Sequence, residues 1–177
     1  MLLSLHVNIN APFVRSKYPD ACLIWIDAHA DINTVESTDS GNLHGMPVSF
    51  LLGLPGNDPV AQSPFGWLKP VLKANKLVYI GLRDVDNGEK KILRDHGIKA
   101  FSMHDVDKHG IGKVVELALD HVNPKRDLPI HLSFDVDALD PSVAPSTGTP
   151  VSCPGHPVFL NAELCCLNSG PRWTDVP

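Results

Sequence analysis

The chain has 177 residues, 43% of them hydrophobic and 20% charged. That is enough for one compact domain with a real core, and the composition is too ordinary for a disordered or membrane-spanning chain. The formal net charge of -5 is spread along the sequence, and without a basic stripe neither a nucleic acid nor an anionic membrane surface is an expected partner.

In chain order, Met1-Leu2-Leu3-Ser4-Leu5 lacks a basic n-region, and its apolar run is broken by His6, Asn8 and Asn10, so no signal peptide is expected. Cys22-Leu23-Ile24-Trp25-Ile26 is the first of three apolar runs that read as strands buried on both faces. The others are Leu77-Val78-Tyr79-Ile80 and Ile130-His131-Leu132-Ser133-Phe134. Helical patterning covers Glu89 to Asp95 and Gly112 to His121, where Val114, Val115, Leu117, Ala118 and Val122 form an apolar stripe, and a short strand at Lys99 to Ser102 lies between the two. Alternating strands and helices predict an α/β fold with a mainly parallel sheet. The longer loops are Asn33 to Gly45, Leu54 to Pro64 and Asp140 to Pro150. After Pro150 the pattern stops, and residues 152–177 read as an irregular tail rich in cysteine and proline. Cys22 stands far from Cys153, Cys165 and Cys166, which does not look like a disulfide framework; uncommitted thiols are expected.

The first and third strands run directly into Asp27-Ala28-His29-Ala30-Asp31 and Asp135-Val136-Asp137, and in open parallel sheets ligands gather at the carboxyl ends of strands. In an extended segment alternate side chains share a side, so Asp27, His29 and Asp31 would converge, as would Asp135 and Asp137. Unpaired carboxylates crowded at the mouth of an apolar sheet repel strongly, and a divalent cation removes that cost. Oxygen ligands with one imidazole favour manganese or magnesium, manganese first, over a thiolate zinc site. Five ligands exceed the needs of one catalytic ion, so two ions activating water are expected. His44, on a glycine-flanked loop, has the side chain to shuttle protons near neutral pH.

These residues resemble the ureohydrolases, and within them the arginases. The resemblance rests on Asp27 to Thr34, the loop Ser40-Gly41-Asn42-Leu43-His44-Gly45-Met46-Pro47, Gly81-Leu82-Arg83-Asp84-Val85-Asp86, Ser133 to Pro141, and Thr147-Gly148-Thr149-Pro150, all in family order. It implies a three-layer α/β/α fold and hydrolysis of L-arginine to L-ornithine and urea at a centre of two Mn2+ per subunit. It also implies a cytoplasmic homotrimer in arginine metabolism and the urea cycle. Position by position, Asp27 and Asp135 would bridge the ions, His29 and Asp137 would hold one, and Asp31 the other. Asp137 would accept a proton from the attacking water and His44 would shuttle one. Asn33, Thr38 and Ser40 would hold the substrate carboxylate, Asp86 with Glu89 its ammonium, and Thr149 its guanidinium end.

The match is expected to run over residues 18–151, with 1–17 and 152–177 outside it. The family's additional histidine ligand, in a Gly-Gly-Asp-His motif, has no counterpart before Asp27, where His6 sits in Leu5-His6-Val7-Asn8. Its guanidinium-binding glutamate has none either, because no motif surrounds Glu163. The sequence therefore predicts an incomplete arginase-like fold, from a truncated product or a mistaken gene model, with weakened metal binding and exposed sheet edges prone to aggregation. Two other readings stand beside arginine hydrolysis: an inactive chain that binds other subunits, or a ureohydrolase for another guanidino compound such as agmatine.

Overall fold

A computed structural model describes residues 17–57 and 69–151. The tail from 152, the segment before 17 with His6, most of the 54–64 loop, Glu163 and the three late cysteines lie outside the described residues.

Four parallel strands form one sheet in the order β3-β2-β1-β4, with β1 at Cys22–Ile26, β2 at Leu77–Leu82, β3 at Lys99–Ser102 and β4 at Ile130–Phe134. Helices α1 (Pro47–Leu52) and α2 (Asn87–Asp95) follow β1 and β2; α3 (Met103–His109) and α4 (Ile111–Val122) connect β3 to β4.

Strand alternation divides the core between two faces. Ile24, Ile26, Val78 and Ile80 pack with Val106 of α3 and Val114, Ala118 and Val122 of α4. Leu23, Trp25, Leu77 and Tyr79 pack with Val48 and Leu51 of α1 and with Ile92 and Leu93 of α2. The result is the expected three-layer α/β/α sandwich. Burying each aliphatic side chain of this kind contributes about 1.5–3 kcal/mol.

β1 and β2 are buried at every position, as their continuous apolarity predicts. β4 departs from that expectation: Ile130 and Leu132 are 37% and 46% exposed. The reason is position, since β4 is the outermost strand on its side and among the described residues pairs only with β1.

The chain moves outward from β1 through β2 to β3 and then returns to the opposite side of β1 to form β4. That reversal opens a crevice between the carboxyl ends of β1 and β4, the place where open α/β sheets hold ligands. Gly81 adapts β2 beside it. With φ at +94° it sits at the register irregularity between Ile80 and Leu82, and a Cβ there would lie 3.4 Å from the Asp27 carbonyl oxygen.

Candidate metal and substrate site

Asp27 is the first residue after β1 and is 2% exposed. Trp25 Nε1 donates to its Oδ2 at 3.0 Å and the His29 amide to its Oδ1 at 2.7 Å. The chain bends here instead of continuing extended, so strand alternation is not what gathers the ligands. Asp31 takes a left-handed φ of +50°, a conformation aspartate tolerates better than most residues. Asp135 likewise leaves β4 as the N-cap of a 3-10 turn at Val136–Ala138, accepting from the Asp137 amide at 3.0 Å.

These turns bring the halves together. The Ala28 amide donates to Asp137 Oδ1 at 3.3 Å, and His29 Nδ1 lies 3.1 Å from Asp137 Oδ2 and 3.5 Å from Asp27 Oδ1. Ligand atoms of Asp27, His29 and Asp137 all fall within 4.8 Å of one another. Asp31 and Asp135 line the same cavity outside that group of three.

The electrostatics describe a cluster in need of a cation. Burial, with the nearby charges of Asp137 and Asp135, raises the Asp27 carboxyl to about 7. Burial opposes the charged form of His29, yet hydrogen bonds with Asp137 and Asp27 carry it to about 11. Asp31 is pushed well above the usual carboxylate range by burial and by Asp27. Burial alone would raise Asp137, but hydrogen bonds from His29 and Thr149 hold it below its ordinary value. A divalent ion would offset the crowded carboxylates and take His29 as a neutral ligand. The oxygen-rich donor set with one imidazole fits such an ion.

The cavity has a volume of about 240 Å³. Every residue selected from the sequence lines it. Besides the five acid and imidazole ligands these are Asn33, Thr38, Ser40 and His44 on the loop after β1, Asp86 and Glu89 after β2, and Thr149.

Asp86 is the N-cap of α2. It accepts from the Glu89 amide at 2.8 Å, while Glu89 Oε2 accepts from the Asp86 amide at 3.2 Å, a reciprocal capping box. Asn33 Nδ2 donates to Asp86 Oδ2 at 2.6 Å, and Ser37 Oγ donates to Asn33 Oδ1 at 2.8 Å. Glu89 also accepts from the Ile32 amide, and its carboxyl is raised chiefly by burial. Gly88 admits this approach, since a Cβ there would stand 3.1 Å from the Ser37 carbonyl oxygen. Thr38 and Ser40 hydroxyls accept from the Gly41 and Asn42 amides, folding the loop on itself. His44 sits half-buried in the 3-10 turn Leu43–Gly45. Thr149 Oγ1 donates to Asp137 Oδ2 at 2.8 Å.

Asp84, Asn42 and Gly45 complete the lining, and Asp84 Oδ2 lies 3.5 Å from His29 Nε2. Asp84 was visible in the sequence only as a charge between Arg83 and Val85. Trp25 gave no signal at all, because an indole in an apolar strand reads as core.

Fold and site together define an α/β protein with an acidic cavity at the sheet's switch point, built for cations. The arginase family model matches residues 9–156, and the chain belongs to that family. It is 71% identical over 149 residues to an arginase of Glaciozyma antarctica, covering 84% of this chain and 43% of that one. It is 68% identical over 134 residues to an arginase of Neurospora crassa, covering 75% and 36%. Its fold matches the crystal structure of the cold-adapted Glaciozyma antarctica arginase with a TM-score of 0.66 at 67% identity, covering 72% and 45%. For the Bacillus cereus arginase the TM-score is 0.69 at 40% identity, covering 79% and 47%. The chain thus spans less than half the length of these relatives.

Proposed function

We propose that this cavity hydrolyses L-arginine to L-ornithine and urea, with residues 18–151 as the catalytic segment and 1–17 and 152–177 flanking it. The observation that carries the reading is the convergence of seven carboxylates on one cavity, with His29 and His44 its only imidazoles among the described residues. Such a lining favours divalent cations and a substrate with cationic ends.

Asp27, His29, Asp31, Asp135 and Asp137 would hold two manganese ions, which when bound supply the Lewis acidity that lowers the pKa of water toward neutrality. In the overall reaction a water oxygen bonds to the guanidinium carbon, the bond from that carbon to the side-chain nitrogen breaks, and the departing amine gains a proton. Asp137 is the base that receives a proton at Oδ2, the oxygen to which Thr149 Oγ1 donates. His44 relays a proton between the cavity and solvent. Thr149 faces the guanidinium end.

The other end of the site suits an α-amino acid. An amino acid presents carboxylate and ammonium on one carbon, and Asn33 and Asp86 are joined by a direct hydrogen bond. Asn33, Thr38 and Ser40 would take the carboxylate, and Asp86, backed by Glu89, the ammonium. This pairing favours arginine over agmatine, which lacks the carboxylate. Manganese, a cytoplasmic place in the urea cycle and a homotrimeric assembly are proposed on the family's resemblance.

The test is urea release by the manganese-loaded chain. Turnover of arginine well above that of agmatine supports the reading; a preference for agmatine, or no urea from either, overturns it. An inactive chain that still co-purifies with full-length arginase subunits would favour the binding role.

A further inference from the structure

Arg83 does not line the cavity, and the roles given so far do not use it. Its guanidinium makes five hydrogen bonds to four backbone carbonyls. Nη2 donates to Asp137 at 2.6 Å, to Val151 at 2.8 Å and to Leu139 at 3.3 Å; Nη1 donates to Ala138 at 3.0 Å and Nε to Val151 at 3.2 Å. The backbone of the same residue is tied to the other half of the site. The Arg83 and Asp84 amides both donate to the Ala28 carbonyl, at 2.9 and 3.0 Å. One residue therefore links the peptide between Asp27 and His29, the turn that carries Asp137, and the chain two residues beyond Thr149.

We propose that Arg83 is a positioning residue that sets the separation of the two acid-bearing turns and holds Thr149 against Asp137. The inference rests on the metal-site reading above. The carbonyls it collects belong to a turn and a loop rather than to the sheet, and a rigid planar fork with five donors satisfies several acceptors in fixed directions. Lysine keeps the charge but concentrates three donors on one nitrogen, so it cannot reproduce the span. Arg83→Lys thus separates geometry from charge. Residues that orient metal ligands without touching the ion commonly change metal affinity or activity by about 10–100-fold.

The test uses the full chain with Arg83→Lys and Arg83→Ala. Amide hydrogen exchange is followed over residues 135–139 and 149–151, manganese affinity by the electron paramagnetic resonance of free ion, and folding by thermal melting. The expected result is a cooperative melt for Arg83→Lys near that of the unaltered chain, faster exchange confined to those two segments, and manganese affinity at least about tenfold weaker. Unchanged exchange and affinity in Arg83→Lys would overturn the proposal. So would failure of both variants to fold, which would make Arg83 a requirement of the fold itself. If the unaltered chain binds no manganese, the metal-site reading fails, while the exchange comparison still decides whether Arg83 positions the two segments.

Discussion

Asp86 serves two tasks that one substitution can separate. As the N-cap of α2 it accepts from the Glu89 amide, and in the proposed reaction its charge meets the substrate ammonium. Asparagine keeps the cap to the Glu89 amide but has no second acceptor for Asn33 Nδ2, so Asp86→Asn is expected to cost about 1 kcal/mol of stability. Losing a charged partner is worth about 1.5–3 kcal/mol, so the KM for arginine is expected to rise tenfold or more. Chemical denaturation and steady-state urea release check the two halves; an unchanged KM would remove Asp86 from the substrate site.

His131 poses a different test. Its Nε2 is buried without a hydrogen-bond partner among the described residues, in an apolar cavity lined by Ala21, Cys22, Leu23, Leu51, Val71 and Leu72. Cys22 is the titratable neighbour, and its thiol donates to the Val122 carbonyl. Burial lowers the His131 pKa below its ordinary 6.5. The unfolded chain therefore binds the proton more readily, and the stability held above pH ~6.5 falls as pH drops below it. His131→Leu is expected to remove that part of the slope, seen as a gain over the unaltered chain that is larger at pH 5.5 than at pH 8. Equal gains at both pH values in urea unfolding would contradict it.

At the scale of elements, the long apolar runs of β1 and β2 were legible because burial on both faces leaves little choice of residue. Helix α4 carried enough turns to show an apolar stripe, and α2 was marked by the helical patterning from Glu89 to Asp95. α1 and α3 were not legible. α1 has six residues, starting at Pro47 and ending at Gly53 with φ at +65°. α3 buries only Met103 and Val106, too few to show a period, although its capping box between Ser102 and Asp105 was present in the sequence. The site residues were legible from their motifs, but the turns that gather them were not: Asp31 takes a left-handed φ of +50°, and the chain folds into a 3-10 turn directly after Asp135. β4, outermost on its side among the described residues, is less buried than its sequence suggests, because an outer strand and a central one look alike when both are apolar. In that position it presents backbone groups with which another chain can pair, next to exposed Ile130 and Leu132. We expect the chain to self-associate and Leu132→Lys to raise the monomer fraction in sedimentation velocity. Monomeric behaviour of the unaltered chain would refute this.

For the molecule as a whole, the sheet order sets where chemistry can occur. Reversal of the strand order about β1 places Asp27 and Asp135 on either side of one crevice, and the loops after β1, β2 and β4 bring the remaining lining residues to it. No helix among the described residues is long and apolar enough to cross a membrane. The most direct test of the account is metal content measured together with urea release after manganese loading of the full chain. The account predicts about two ions per chain, as two-metal hydrolytic sites hold, and urea from arginine. Fewer than one ion per chain with no urea would contradict it.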